Sequence, residues 1–358
     1  MDKKKDFISE INTARGMAIV FVILGHYITI LERDFSHVWT PALHLCANLI
    51  YTFIFTCDMP LFIFIAGLIF SHQQIKPLTP SSYAGFIKNK SIRLMLPYLV
   101  YSFAILAPKY ILRAYAYRRP SDDLSAYLIS NIKIILLYPL DNPMVVLWFI
   151  YTLFIVFALF PVIIWVAKKI GHGPALLIIL ALSFIPLPDI LNLKNLGAYL
   201  LYFYLGYLFE FNREKNVRLL DRYRYILLSG LVILNCAFFY LSAGSINSYL
   251  AHAYKLSTAI VSIFALYELS CIITAKRSLL YRQLDLIGRY SYDVYLNGHL
   301  VQIALRILFV TLVPLDPIIV SLILIFGPIY IPIPIAYLFI RRYRLTSMLL
   351  LGIKNKGA

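Results

Sequence analysis

Ten apolar runs divide the chain, most of them long and almost free of charge. A segment in hydrocarbon must satisfy its own backbone, so each such run has to be helical, and a core about 30 Å thick takes roughly twenty residues of helix. The expected spans are 12–31, 45–70, 91–114, 146–167, 174–187, 197–211, 224–242, 253–274, 289–313 and 317–340, of which the fifth and sixth are short. The fold class that follows is all-α: a polytopic integral membrane helix bundle with about ten transmembrane helices, expected as a single domain over 1–358. Composition agrees. Of the 358 residues 61% are hydrophobic and 14% charged, and the mean hydropathy is +0.78, more apolar surface than a soluble domain of that length could hide. Between the third and fourth spans, 115–145 contains "LSAYLISNIKIILLYPL", too short and polar for a span and better suited to an interfacial or re-entrant helix. Cys46, Cys57, Cys236 and Cys271 stand singly in apolar stretches, which reads as membrane-buried thiols rather than a disulfide framework.

The net charge of +16 would suggest nucleic acid as a partner in a soluble chain. Its placement argues against that. Clusters at Lys3–Lys5, Lys76–Arg93, Lys168–Lys169, Arg213–Arg224, Lys276–Arg289 and Arg341–Lys356 fall on one side of the expected topology and hold most of the 33 basic residues. Basic loops mark the cytoplasmic face, so both termini are expected in the cytoplasm, and the lipid bilayer is the partner these charges address. The opening "MDKKKDF" is like the start of a signal peptide, but no small-residue cleavage site follows the next apolar run, which is expected to stay as the first helix.

That first span contains the costliest residues. In "ARGMAIVFVILGHY", Arg15 and His26 are eleven residues apart, almost three helical turns, so they share a face and are separated by roughly 16 Å. Arg15 then sits at the cytoplasmic edge and His26 near the middle of the bilayer, where an ionisable residue is a functional candidate by default. Hydrogen bonding to a neighbouring helix is the plainer explanation of such a histidine. A second polar line runs along the ninth span: Ser291, Tyr295, His299, Gln302 and Arg306 occupy one helical face that must meet protein or a water-filled cavity. A third element is "FIKNKSIRLMLPY", whose Lys88, Lys90 and Arg93 cluster at the inner end of the third span and suit lipid phosphates or those of a nucleotide-bearing substrate. Asp58 in "TCDMPLFIFIAG" and Trp148 in "VVLWFIY" are further outliers; a lone tryptophan of this kind is often an interface anchor. No H-E-x-x-H, Walker loop, G-x-S-x-G or metal-ligand cluster is present, and no metal is expected.

At these residues the sequence resembles the acyltransferase-3 family of integral membrane O-acyltransferases, in the branch of fucose-4-O-acetylase-like and enterobacterial-common-antigen-type O-acetyltransferases. The resemblance rests on R-x10-H (Arg15 to His26), on "MPLFIFIAG" (Met59 to Gly67), on Lys90, Arg93, Pro97 and Tyr98, and on "LWFIYTL" with "IGRYSYDVYL". It covers almost the whole chain. Three positions depart from the family pattern. Asn12 stands where an acidic residue usually precedes the arginine by three, with Glu10 nearby; Asp58 stands where histidine often precedes the M-P; His299 follows Tyr295 by four rather than three.

The resemblance implies transfer of an acyl group, usually acetyl from acetyl-CoA, to a hydroxyl, in a multi-pass protein of the bacterial inner membrane with no permanently bound cofactor. The implied acceptor is a sugar hydroxyl of a surface polysaccharide or its lipid-linked precursor. Arg15, Lys90 and Arg93 would hold the phosphates of CoA, and its thin pantetheine arm would bring the thioester to His26. His26 would act as general base or carry a transient acetyl group. Ser291, Tyr295, His299, Trp148 and Asp58 are candidates for stabilising the oxyanion or positioning the acceptor. The tyrosine-rich "RAYAYRRPSDDLSAY" suits either a glycan surface or interface anchoring. The rival from another class, a transporter or flippase of glycan or lipid-linked sugar, would show repeats with paired broken helices, and none is read here.

Overall fold

The computed structural model describes residues 3–35, 40–73, 80–117, 124–242 and 247–354. Among these the secondary structure is helical throughout, with no strand. The helices are α1 (Lys3–Phe35), α2 (Pro41–His72), α3 (Pro80–Lys90), α4 (Leu96–Ala104), α5 (Leu106–Tyr117), α6 (Leu124–Leu137), α7 (Trp148–Ile170), α8 (His172–Leu182), α9 (Leu196–Phe211), α10 (Arg213–Arg222), α11 (Arg224–Ser242), α12 (Ser248–Lys276), α13 (Leu279–Arg289), α14 (Ser291–Arg306), α15 (Pro317–Tyr330), α16 (Pro332–Ile335) and α17 (Arg344–Leu351). Residues 118–123, the middle of the tyrosine-rich stretch, and Lys76 lie outside the described residues.

Among the described residues eight stretches are long and apolar enough to cross a membrane: Phe7–Phe35, Pro41–His72, Ser81–Ile111, Val145–Ile170, Arg224–Leu241, Ser248–Lys276, Ser291–Leu312 and Pro317–Ile340. The two short spans expected from the sequence are helices α8, of 11 residues, and α9, of 16. Both fall below the roughly twenty residues a straight crossing takes. Their shortness has a local cause. Pro186 and Pro188 follow α8 and bring no amide to a helix, and the chain then turns through Leu191 and Asn192 in the left-handed region at φ 56° and 55°. The expected short helix within 115–145 is α6, 14 residues long.

The chain forms two compact units. The first comprises residues 1–74 and 202–335, the second 75–201 and 336–358. In the first, α1 is the central helix. Tyr27, Ile28, Ile30 and Phe35 pack with Ala47 and Ile54 of α2 and Val320 and Leu324 of α15. Nearer its start, Met17 packs with Ile273 of α12 and Leu284 of α13. Two helix crossings in this unit are built on reciprocal glycines. A β-carbon on Gly16 of α1 would run into the Leu284 carbonyl of α13, and one on Gly288 of α13 into the Asn12 carbonyl of α1. The same exchange joins Gly67 of α2 to the Phe203 carbonyl of α9 and Gly206 of α9 to the Phe64 carbonyl of α2. In hydrocarbon, where burial of apolar area does not drive helices together, such backbone-to-backbone approach supplies the dispersion contacts that do.

In the second unit a π-helical turn, Ser91–Met95, precedes Pro97, whose missing amide relaxes the ladder there. Tyr98 donates to the Ile135 carbonyl at 2.6 Å, and Asn142 donates to Tyr98 Oη at 3.0 Å and to Ser102 Oγ at 2.8 Å. This buried network ties α4 to α6 and to the turn before α7. The C-terminal helix α17 closes against the π-helical turn: Gly352, at φ 61°, leaves no room for a β-carbon beside the Ile92 carbonyl, and Arg93 Nη1 donates to the Leu351 carbonyl at 2.5 Å.

Overpacking a tight contact of this kind typically costs about 1–3 kcal/mol. Gly67→Ala and Gly206→Ala are therefore expected to lower the melting temperature of the detergent-solubilised protein, while Gly85→Ala, whose new methyl group meets open space, leaves it unchanged. Thermal unfolding of the three variants checks this.

Candidate functional site

The site grows from two glycine–histidine pairs, Gly25–His26 on α1 and Gly298–His299 on α14. Each glycine admits a neighbouring helix. A β-carbon on Gly25 would stand 3.2 Å from Ile54 Cγ2 of α2, and one on Gly298 would stand 2.9 Å from both Ile23 Cδ1 of α1 and the Pro328 carbonyl oxygen of α15. With α1 and α14 brought this close, the rings of His26 and His299 face each other, 4.8 Å between centroids and inclined by 47°. Both residues are half-buried, so neither ring is sealed in the packing. A neutral imidazole has one donor and one acceptor nitrogen. Two in contact can take a proton on one side and return it on the other.

The remainder of the polar face of α14 divides by function. Ser291, the first residue of α14, and Tyr295, one turn before His299, are buried. Above His299, Gln302 is fully buried and donates to the Leu324 carbonyl at 3.1 Å and to the Ile23 carbonyl at 3.4 Å, stitching α14 to α15 and α1. One turn further, Arg306 grips Asp34 of α1 with two parallel bonds, Nε to Oδ2 at 2.5 Å and Nη2 to Oδ1 at 2.8 Å. Gln302 and Arg306 thus hold the helices that carry the histidines.

Asp58 sits on α2 two residues before the in-helix Pro60, and its Oδ1 accepts the Met59 amide at 2.6 Å. It lies within electrostatic range of Tyr295 and of Lys255 of α12. The Lys255 ammonium rests 4.3 Å from the ring centroid of Phe55, one turn before Asp58. The sequence reading passed over Lys255. Its signal is of the same kind as that of His26: an ionisable residue inside an apolar span, here in "AHAYKLS" beside His252.

Arg15 lies on α1, half-buried, roughly 16 Å along the axis from His26. Where the family pattern expects an acidic residue, Asn12 Nδ2 donates to Asp285 Oδ1 of α13 at 3.0 Å, and Arg289 holds the other Asp285 oxygen at 2.5 Å. The carboxylate missing from α1 is thus supplied beside Asn12 by another helix. Glu10 is bonded instead to Arg213. The structure collects Arg15, His26, Asp58, Ser291, Tyr295 and His299 in the first unit; Lys90, Arg93 and Trp148 belong to the second. There Lys90 Nζ lies over the Phe157 ring at 3.6 Å. Trp148 begins α7 with its ring 6.0 Å from that of Tyr199.

The family model for an acyltransferase domain, Acyl_transf_3, matches residues 8–337. No curated protein and no solved structure matches the chain.

Without Arg306 the largely buried Asp34 carboxylate would keep only the longer bond from Arg33, at 3.2 Å, and a charged group that loses its main partner costs about 1–3 kcal/mol, less the share that solvent at the half-buried guanidinium already screens. Arg306→Ala is therefore expected to destabilise the protein more than the double change Asp34→Asn with Arg306→Gln, which leaves no isolated carboxylate. Melting of the two variants in the same detergent checks this.

Proposed function

The chain belongs to the acyltransferase-3 family, and on that premise we propose that this multi-pass membrane protein transfers an acetyl group from acetyl-CoA to a sugar hydroxyl of a surface polysaccharide or its lipid-linked precursor. The observation that carries the reading is the pair of facing imidazoles, His26 and His299, held inside membrane-spanning helices of an acyltransferase. A histidine placed there without a chemical task would be a cost with no return.

In this mechanism Arg15 binds the phosphates of the donor at the Lys3 end of α1, the end proposed to face the cytoplasm, and the pantetheine arm spans the roughly 16 Å to His26. The acceptor hydroxyl lies against His26, which takes its proton as the oxygen attacks the thioester carbonyl. The tetrahedral intermediate collapses with cleavage of the carbon–sulfur bond. The CoA thiolate leaves and takes the proton from the imidazolium, and the acetyl ester remains on the sugar. His299 keeps the His26 ring in place and supplies a hydrogen-bond donor to the developing oxyanion, with Tyr295 beside it.

General acid–base catalysis is worth about 10²–10⁴-fold, so His26→Ala is expected to lower transfer by at least the smaller factor at unchanged membrane level. Arg15→Ala raises the KM for acetyl-CoA while leaving His26 in place. The measurement follows isotopically labelled acetyl groups from acetyl-CoA into glycan in membranes containing each variant, with release by mild alkali. Normal labelling with His26→Ala, or glycan crossing the membrane unaltered with wild type, would sink the reading.

A further inference from the structure

Lys255 is an ionisable residue of the first unit that the mechanism above leaves unused. Its placement along the bundle follows from contacts at the other end of α12. Thr274 of α12 meets Thr13 of α1, their hydroxyls 2.9 Å apart, so the end of α12 lies beside the start of α1. Counting from that level, His26 stands about 20 Å up α1 and Lys255 about 28 Å up α12. Arg15 is at the bottom, two residues from Thr13. The backbone of Lys255 therefore lies beyond the histidine pair, and its ammonium turns back to Phe55, the residue after Ile54, which meets Gly25 beside His26.

The surroundings of the ammonium are those of a cation kept ready for a ligand. Its seat is the face of Phe55, at 4.3 Å, which attracts a cation without using its N–H donors. The carboxyl group of Asp58 is near, but no hydrogen bond or ion pair joins it to Lys255 among the described residues, and Asp58 accepts with one oxygen from its own helix at Met59. Both side chains are half-buried. A lysine ammonium has three N–H donors, and leaving them unused inside a membrane is expensive. The contrast with Arg306, bonded twice to Asp34 in the same unit, shows how this bundle treats a cation whose role is to hold helices.

We propose that Lys255, seated on Phe55, is a specificity-determining residue that receives an anionic oxygen group, phosphate or carboxylate, carried by the acceptor. The proposal rests on the acyl-transfer reading, in which the donor occupies the Arg15 end, so that the acceptor reaches the histidines from the Lys255 side. The acceptor is then an acidic sugar or a sugar linked through phosphate to a lipid. A neutral glycan would leave the ammonium without a partner.

The test uses the full chain, purified and reconstituted in nanodiscs, and measures binding rather than turnover. The probes are a polyprenyl monophosphate, the corresponding polyprenol and free glucuronate. If the anion is a lipid phosphate, wild type binds the monophosphate about tenfold more tightly than the polyprenol, and Lys255→Gln erases the difference while Lys255→Arg keeps it. If it is a sugar carboxylate, wild type shows no such preference but binds glucuronate, again lost in Lys255→Gln and kept in Lys255→Arg. Should Lys255→Gln not fold, Phe55→Leu, which removes the aromatic seat, is expected to weaken the same anion preference. Binding of all three probes that is indifferent to Lys255 and Phe55 overturns the proposal. Failure of the acyl-transfer reading registers separately, as wild type that neither binds acetyl-CoA nor labels glycan.

Discussion

Helix α1 has no freedom to slide, and the site depends on that. At its lower crossing Gly16 and Gly288 each lie against a carbonyl of the opposite helix, so a shift of one residue along α1 would drive the β-carbon of Arg15 or Met17 into backbone. Asn12 and Asp285 bond beside the same crossing. At the upper end Asp34 is held by two bonds from Arg306. Between these anchors Gly25 and Gly298 draw α2, α14 and α15 inward, and the register this sets brings two imidazoles to 4.8 Å. Reactive groups need placement within fractions of an ångström, and here it comes from packing and ion pairing on all sides of one helix.

The cost of burying polar groups in hydrocarbon sorts those of this unit into two kinds. Some are tied to other helices by hydrogen bonds. Asn235 joins Thr56, Ser262 and the Leu231 carbonyl; Gln302 bridges two helices; Arg306 and Asp34 neutralise each other. These add specificity to helix pairing and expose little. His26, His299, Asp58 and Lys255 are half-buried, and the contacts seen among them are ring faces and fields as much as hydrogen bonds. Groups that are expensive to place, yet left partly open, are the ones with capacity for a ligand.

Much of this was legible in the sequence because hydropathy and helical spacing are local. The eight long spans follow from the apolar runs, and the periodicity of Ser291, Tyr295, His299, Gln302 and Arg306 places them on one face of α14. The partners of those residues were not legible. That His299 meets His26, that Arg306 meets Asp34 and that Asp285 stands in beside Asn12 are facts of helix adjacency, and each joins residues more than 250 positions apart. A trace existed in the repeated glycine before histidine, "LGHY" and "NGHL", since a small residue beside a polar one is where a neighbouring helix can approach. Lys255 does share a face with Ser248, His252, Thr258 and Ser262 at helical spacing, but the partner it meets, Phe55, lies on another helix 200 positions away.

The basic motif of the third span shows the opposite difficulty, a strong local signal whose use depends on distant chain. Charge alone suited Lys90 and Arg93 to phosphates. In the folded second unit Lys90 lies over Phe157, and Arg93 bonds the last carbonyl of α17, a helix that begins beyond residue 337, where the match to the family ends. A helix C-terminus is a site of negative partial charge and unsatisfied carbonyls, so it competes for a guanidinium on the same electrostatic terms as a phosphate does. Anything that binds anions at Arg93 is therefore coupled to the docking of α17. The charge of the motif sets which ligands are attracted, and the C-terminal helix sets the direction in which the guanidinium can present its donors.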